Sequence, residues 1–178
     1  MAGMRAGMSV NWEDLRATLL GGGETQFLFL KGGRTPLRLL WPEDVDAPFV
    51  PVKTYFQGRV RQRWAAAAFR PQEPQAIKAA ILPKSVTQAI LDLLIEGYEL
   101  FDMEKGHGIT VIRTGLGLET SYNVVASKDP VPVPPETRAA LKAFSLHAAA
   151  GAYEQMQEAR SGREGVSDSG ENSQPADW

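Results

Sequence analysis

Apolar and polar residues alternate, or form short apolar runs between breakers, along most of the chain, which predicts a mainly β protein. The strand-like runs are separated by segments rich in Gly and Pro, as expected where regular structure ends. Six runs carry the pattern: 27–30, 37–41, 53–69, 76–82, 109–113 and 120–125. The turn KGGRTP between the first two favours a hairpin, and a glycine-containing turn joins the last two. Prolines at 42, 48 and 51 predict a loop between the second and third runs.

One helix is clear from the sequence, in the segment 83–97. Val86, Ile90 and the Leu93–Leu94 pair form an apolar stripe at helical spacing, and Gly97 lies where a C-cap glycine belongs. A single helix late among roughly five strands favours a small antiparallel barrel over a parallel α/β fold, because the latter needs a helix between most strands.

The two ends of the chain differ from this β-rich core, which we place at 25–135. Residues 1–24 predict a segment with a short helix that docks through Trp12, Leu15 and Leu19. After the proline-rich DPVPVPPE, residues 136–160 predict a C-terminal helix. Residues 161–178 are rich in Ser, Gly and acids and predict a disordered acidic tail.

The stretch KTYFQGRVRQRW, residues 53–64, carries the most informative polar pattern. Taken as one strand, it places a cationic set on one face and a largely apolar set on the other. Gly58 predicts a bend within that strand. The cationic face would hold Lys53, Tyr55, Arg59, Arg61 and Arg63.

Three arginines at a two-residue spacing project from one face about 6.5 to 7 Å apart, close to the spacing of phosphates along an extended single strand of nucleic acid. Tyr55 offers a ring for base stacking. Trp64 has the opposite parity, so it is a stacking ring only if the strand is rotated and a core residue otherwise. The alternative for the arginines is a solvated face that pairs with acids on a neighbouring strand.

Charge is unevenly distributed, although the net charge of the 178 residues is only -2. From Phe49 to Lys84 seven Lys and Arg face one acid, Glu73, whereas Glu164 to Trp178 holds four acids and no base. A basic middle and an acidic end fit either of two interpretations. The basic middle binds a polyanion and the acidic end competes for that site, or the charges serve only solubility.

Several classes of site lack support in the sequence. With no cysteine and two histidines, His107 and His147, disulfides and a His or Cys zinc cluster are excluded. GLGLET matches neither nucleotide-binding glycine pattern, and no catalytic motif appears, so we expect no cofactor, no metal and no enzyme. No apolar run approaches the roughly 20 residues of a membrane span, so we expect a cytoplasmic protein with no membrane partner.

The order of features resembles a known family. LPKSVTQAILDLLIEGYELFDMEKGHGITVIRTGLGLETSYNVVASKDP is similar to the later half of the single-stranded-DNA-binding core of the tailed-phage replicative helix-destabilising proteins. FLFLKGGRTPLRLLWPED resembles the opening strand of that core. The similarity covers roughly residues 25–135 and is strongest in IRTGLGLETSYNV.

The resemblance implies an OB-fold core that binds single strands with little sequence preference, and an acidic tail that contacts replication proteins and competes with DNA. It adds Arg113 and Tyr122 to the candidate site. Two departures stand out: the best-known members hold a structural zinc through cysteines and a histidine, and they use a basic N-terminal segment for cooperative binding. This chain has no cysteine and a single arginine, Arg5, in its first 15 residues.

We therefore expect a sequence-tolerant single-stranded-DNA-binding protein acting in phage replication, recombination or repair, in the cytoplasm of an infected bacterium. A flexible acidic end that finishes on Asp177 and Trp178 is suited to docking on a replication partner. A protein-interaction adaptor for a polymerase and an RNA-directed OB module remain alternatives. The candidate nucleic-acid contacts are Arg34, Arg38, Lys53, Tyr55, Arg59, Arg61, Arg63, Trp64, Arg113 and Tyr122.

Overall fold

A computed structural model describes residues 26–56 and 58–167, which form seven strands and three α-helices. The predicted N-terminal helix and the residues after Ser167 lie outside this range. The strands are β1 Phe27–Phe29, β2 Gly33–Leu40, β3 Val50–Phe56, β4 Arg59–Arg70, β5 Glu73–Leu82, β6 His107–Thr114 and β7 Ser121–Pro130. The helices are α1 Lys84–Ile95, α2 Pro135–Ala143 and α3 Leu146–Ser167, and a short 3-10 turn spans Gly117–Glu119.

The seven strands form one sheet in the order β1-β5-β4-β2-β6-β7, with β3 added to the side of β4. All pairs are antiparallel except β1 with β5. Among the described strands the order ends at β1 and β7, so the sheet that they form is not closed. The expectation of a mainly β fold with helices is confirmed at this level.

The middle of the sheet is buried on both faces because successive residues of β4 and β5 face different cores. Ala66, Ala68 and Leu82 pack with α1 and with β2, β6 and β7 in the larger core, which includes Val86 and Ile90. Residues of the other parity, such as Ala65 and Ala67, pack under α2 and α3. The run WAAAAF thus continues the strand, and its small side chains let helices approach both sides.

The predicted helix after β5 is confirmed, with bounds Lys84–Ile95 and Gly97 at a φ of 106° after its last turn. The hairpin that follows it is confirmed too, as β6 and β7, which extend further than predicted at both outer ends. Gly115 and Gly117 have positive φ in the connecting turn, which accounts for both glycines.

The predicted hairpin between the first two runs is wrong. β1 pairs in parallel with β5, through Phe27 opposite Ala79, while β2 pairs with β4 and β6. The glycines at 32 and 33 therefore lead the chain from one region of the sheet to another. A parallel partner about 50 residues away leaves no local signal in the sequence.

The C-terminal helix is two helices, and both pack on the sheet. Asp44, in the loop between β2 and β3, accepts hydrogen bonds from Ser145 Oγ at 2.8 Å, His147 N at 3.2 Å and Leu146 N at 3.3 Å, and so caps the start of α3. Partial desolvation acts to raise the pKa of Asp44, but these hydrogen bonds and nearby His147 lower it overall. The loop and α3 are thereby held together.

Candidate nucleic-acid interface

The stretch 53–64 is a hairpin and not one bent strand. β3 ends at Phe56, β4 begins at Arg59, and Gly58 between them has a φ of 76°, which favours glycine. The register runs from Phe56 opposite Arg59 to Val50 opposite Ala65. Among the described strands, residues 59–63 pair only with β3, so this part of the hairpin extends beyond the main sheet; we call it the β3–β4 arm, residues 52–63.

One face of the arm carries the three arginines, and we call it the arginine face. Arg59 and Arg61 are exposed and Arg63 is half-buried. Arg61 is opposite Thr54 and Arg63 is opposite Val52, and directly opposed residues share a face. Partial desolvation, then the positive charges of Arg63 and Arg59, lower the pKa of Arg61. The three cations are therefore close enough for their charges to act on one another.

The other face carries the aromatic residues, and we call it the aromatic face. Tyr55 is opposite Val60 and Lys53 is opposite Gln62. Trp64, the first residue of β4 past the arm, is opposite Pro51 and continues this face into the main sheet. Tyr55 and Trp64 are half-buried, whereas Lys53 is exposed. The prediction that Lys53 and Tyr55 share a face with the arginines is therefore wrong, because the reversal at Gly58 exchanges the parity of the two halves.

The free edge of β3 is covered by α3. Lys53 N donates to Glu154 Oε2 at 2.8 Å, and Tyr55 N donates to Gln157 Oε1 at 3.0 Å. Because Lys53 and Tyr55 turn their N–H groups away from β4, Pro51 of the same parity loses no ladder hydrogen bond, and a proline is tolerated inside the strand. The prediction that Pro51 breaks regular structure is therefore wrong.

The helix α3 also adds groups to the arginine face that the sequence did not indicate. The Tyr153 hydroxyl is 2.9 Å from Thr54 Oγ1, on that face of β3. Burial raises the pKa of Tyr153, while the hydrogen bond with Thr54 and the positive charges of Arg63 and Arg160 act in the opposite direction. Arg160 is exposed and acts on the same phenol as Arg63, so it contributes a further cation beside the arm.

Arg38 does not belong to a surface site, since its side chain is 0 % exposed. Nε donates to Val131 O at 2.6 Å, and Nη1 donates to Leu39 O at 2.8 Å and Leu100 O at 2.9 Å. Nη2 donates to the Asp102 carbonyl oxygen. Desolvation lowers the pKa of Arg38 to about 10, with Asp102 acting to raise it.

Arg38 therefore anchors two loops instead of lining a groove. A side chain at Gly106 would place its Cβ closer than 3.0 Å to the Arg38 guanidinium, which explains the glycine there. One sequence signal pointed to this role: in LRLLW the arginine lies among contiguous apolar residues, as in a strand buried on both faces.

The remaining predicted residues lie on β2, β6 and β7. Arg34 is exposed and lies opposite Ile112. Arg113 and Tyr122 are half-buried and directly opposite each other, and the buried Arg113 Nε has no hydrogen-bond partner among the described residues. The ladder joins Arg113 to Gly33 at the start of β2, whereas the arm extends beyond the other end of β2. Arg34, Arg113 and Tyr122 thus lie near the start of β2, and the arm lies beyond its other end.

Asp177 and Trp178, the predicted docking tip, lie outside the described residues. Within 26–56 and 58–167 no group of three or more His, Asp or Glu side chains could hold a metal ion. No helix in the described part of the chain is long and apolar enough to cross a bilayer. Comparisons with protein-family models, curated proteins and solved structures found no match.

Proposed function

We propose that this protein binds single-stranded DNA with little sequence preference, in phage replication, recombination or repair. The observation that carries the proposal is the arginine face of the β3–β4 arm. It presents Arg59, Arg61 and Arg63 at alternate positions of one strand, where desolvation and then the charges of its two neighbours lower the pKa of Arg61. Bound phosphates would offset the repulsion among these cations, because each neutralises a cation and releases a counterion from the strand.

The connectivity supports an OB-fold core as part of the proposal. A three-stranded meander of β2, β4 and β5 is followed by α1, and the β6–β7 hairpin then pairs back onto β2. An OB-fold is a five-stranded, partly open Greek-key barrel whose second and third strands and neighbouring loops bind oligonucleotides. By this count the first two barrel strands are β2 and β4. The arm then consists of the end of the connection between them and the start of β4.

The two faces of the arm supply different parts of a single-strand site. The arginine face tracks phosphates. Tyr55, near the tip of the arm, and Trp64, at its base, offer rings to bases on the aromatic face. Base–aromatic stacking contributes about 1 to 3 kcal/mol per base and tolerates every base, which fits binding without sequence preference.

The test is a titration of a fluorescein-labelled oligo-dT by anisotropy across a range of salt concentrations. The slope of log K against log salt should be about -0.7 for each phosphate neutralised. The triple variant R59A/R61A/R63A should reduce the magnitude of that slope by about 2, because three cations are lost.

A charge-matched control separates this site from a general effect of net charge. Lys84, Lys128 and Lys142 are exposed and lie outside the arm, so K84A/K128A/K142A removes the same charge elsewhere. The control should leave the slope nearly unchanged. Equal slopes for the two triple variants, or no binding by the wild type, would contradict the proposal. Competition with RNA oligomers of matched length and sequence decides between DNA and RNA.

The acidic tail enters the proposal through the resemblance described above. Its expected roles are to recruit replication proteins and to compete with DNA for the cationic surface. A chain that ends at Ser167 should therefore bind oligo-dT more tightly than the full chain, and this gain should shrink at high salt.

A further inference from the structure

Two leucines in the turn between β6 and β7 are almost fully exposed. Leu116 is 84 % exposed and Leu118 is 71 % exposed, so both side chains stand in water at the tip of the hairpin. Such side chains do not contribute to the core, and exposed apolar patches, unlike single surface leucines, mark interaction sites.

The turn that carries them is held in one conformation by its backbone. Glu119 N donates to Leu116 O at 3.0 Å, and Thr120 N donates to Gly117 O at 3.2 Å. Any side chain at Gly115 would overlap the carbonyl oxygen of Glu119, and Gly115 has a φ of 84°. Binding at this tip would therefore lose little conformational entropy.

The strands just before and after the turn carry a cation and a ring. Arg113 lies directly opposite Tyr122, and the buried Arg113 Nε has no hydrogen-bond partner among the described residues. Glu119 is the acid in the turn and is exposed. The hairpin thus combines an apolar tip with a guanidinium and a phenol at its base.

We propose that Leu116 and Leu118 contact unstacked nucleobases of a bound single strand, while Arg113 meets the adjoining phosphate. The inference rests on the proposed function and adds a second base contact, separate from the aromatic face of the arm. Two leucine side chains match the face of one or two bases in size. They are far too small for a stable protein interface, which buries about 800 Å² on each partner.

The experiment compares oligo-dT with an abasic oligomer of the same length, which keeps the phosphates and removes the bases. L116S/L118S should bind oligo-dT about 10-fold more weakly, as expected when roughly one leucine of apolar burial is lost. Its affinity for the abasic oligomer should equal that of the wild type. L91S/I95S changes two exposed apolar residues of α1 and should alter neither affinity, which makes it the matched control.

The outcomes separate this inference from the proposed function. Wild-type protein that binds neither oligomer overturns the proposed function and the inference with it. Binding of oligo-dT that L116S/L118S leaves unchanged, or that falls equally for the abasic oligomer, overturns the inference alone. Sedimentation velocity tests the alternative that the leucines contact a second copy of the chain. A wild-type dimer that L116S/L118S converts to a monomer, with unchanged oligo-dT affinity, would support that alternative and overturn contact with bases.

Discussion

Replacing Arg38 with methionine tests whether this buried guanidinium organises the loops around it. Desolvation makes charging this side chain less favourable in place than in water, since a fall in pKa from 12.5 to about 10 corresponds to about 3 kcal/mol. Against this stand four hydrogen bonds to carbonyl oxygens, each worth about 1.5 to 3 kcal/mol when the donor is charged. The hydrogen bonds exceed the desolvation cost, so the charged arginine is a net stabiliser.

Methionine keeps the apolar stem and leaves the carbonyl oxygens of Leu39, Leu100, Asp102 and Val131 without this donor. We expect Arg38→Met to lower the free energy of unfolding by about 4 kcal/mol, in the range for breaking a buried charged network. Arg38→Lys should recover part of this, since an ammonium has three donors for four acceptors.

Urea unfolding followed by tryptophan fluorescence measures the effect. With a slope of about 2 kcal/mol per molar, the midpoint should fall by about 2 M in Arg38→Met. Arg34→Met is the matched control, because it makes the same chemical change at an exposed position of the same strand and should stay within about 0.5 kcal/mol. Equal midpoints for the two variants would refute the reasoning.

Three further predictions concern the cap, the arm and the helix that covers it. Asp44→Ala should lower the free energy of unfolding by about 1 kcal/mol at neutral pH. Because the pKa of Asp44 is lower in the folded state, its contribution is present above about pH 4 and is lost below it. Thermal melts of the variant and the wild type should therefore converge in acid. Gly58→Ala should cost about 1 kcal/mol in urea unfolding, because alanine resists a φ of 76°. Tyr153→Phe should remove from an ultraviolet pH titration one phenol that ionises above the ordinary tyrosine range. Loss of the hydrogen bond with Thr54 should lower the free energy of unfolding by about 1 kcal/mol. An unchanged titration would contradict the burial of Tyr153.

Local patterns predicted the elements whose contacts are local. The stripe from Val86 to Leu94 and the glycine after it located α1, and the runs around GLGLET located the β6–β7 hairpin. Both depend on residues within one helix or across one turn, where spacing in the sequence equals spacing in the structure.

The errors came from long-range pairing and from one missed reversal. β1 finds its partner in β5, and no property of residues 27–29 indicates that choice. At Gly58 the signal was present, since a glycine as the second of two residues between strands is typical of a tight hairpin. Strict alternation of residue type through the turn concealed it, although odd-numbered residues before and after a two-residue turn lie on different faces.

The candidate site was predicted in part for the same reasons. The arginines were found as a set because they are alternate residues of one strand. Their neighbour Arg160 was missed, because α3 reaches the arm only through tertiary packing about 100 residues along the chain. Arg38 was assigned to the surface because a charge was assumed to need water, whereas backbone carbonyls replace that water here.

The docking of α3 on β3 sets a limit on how far the chain can be shortened from its C-terminal side. A fragment that stops at the proline-rich segment would expose the edge of β3, leave Lys53 N and Tyr55 N without their acceptors, and remove Tyr153 from the core. Bare strand edges recruit strands from other molecules, so such a fragment should aggregate. The smallest unit that folds alone therefore extends through Gln157 at least, and the helix counts as part of the domain.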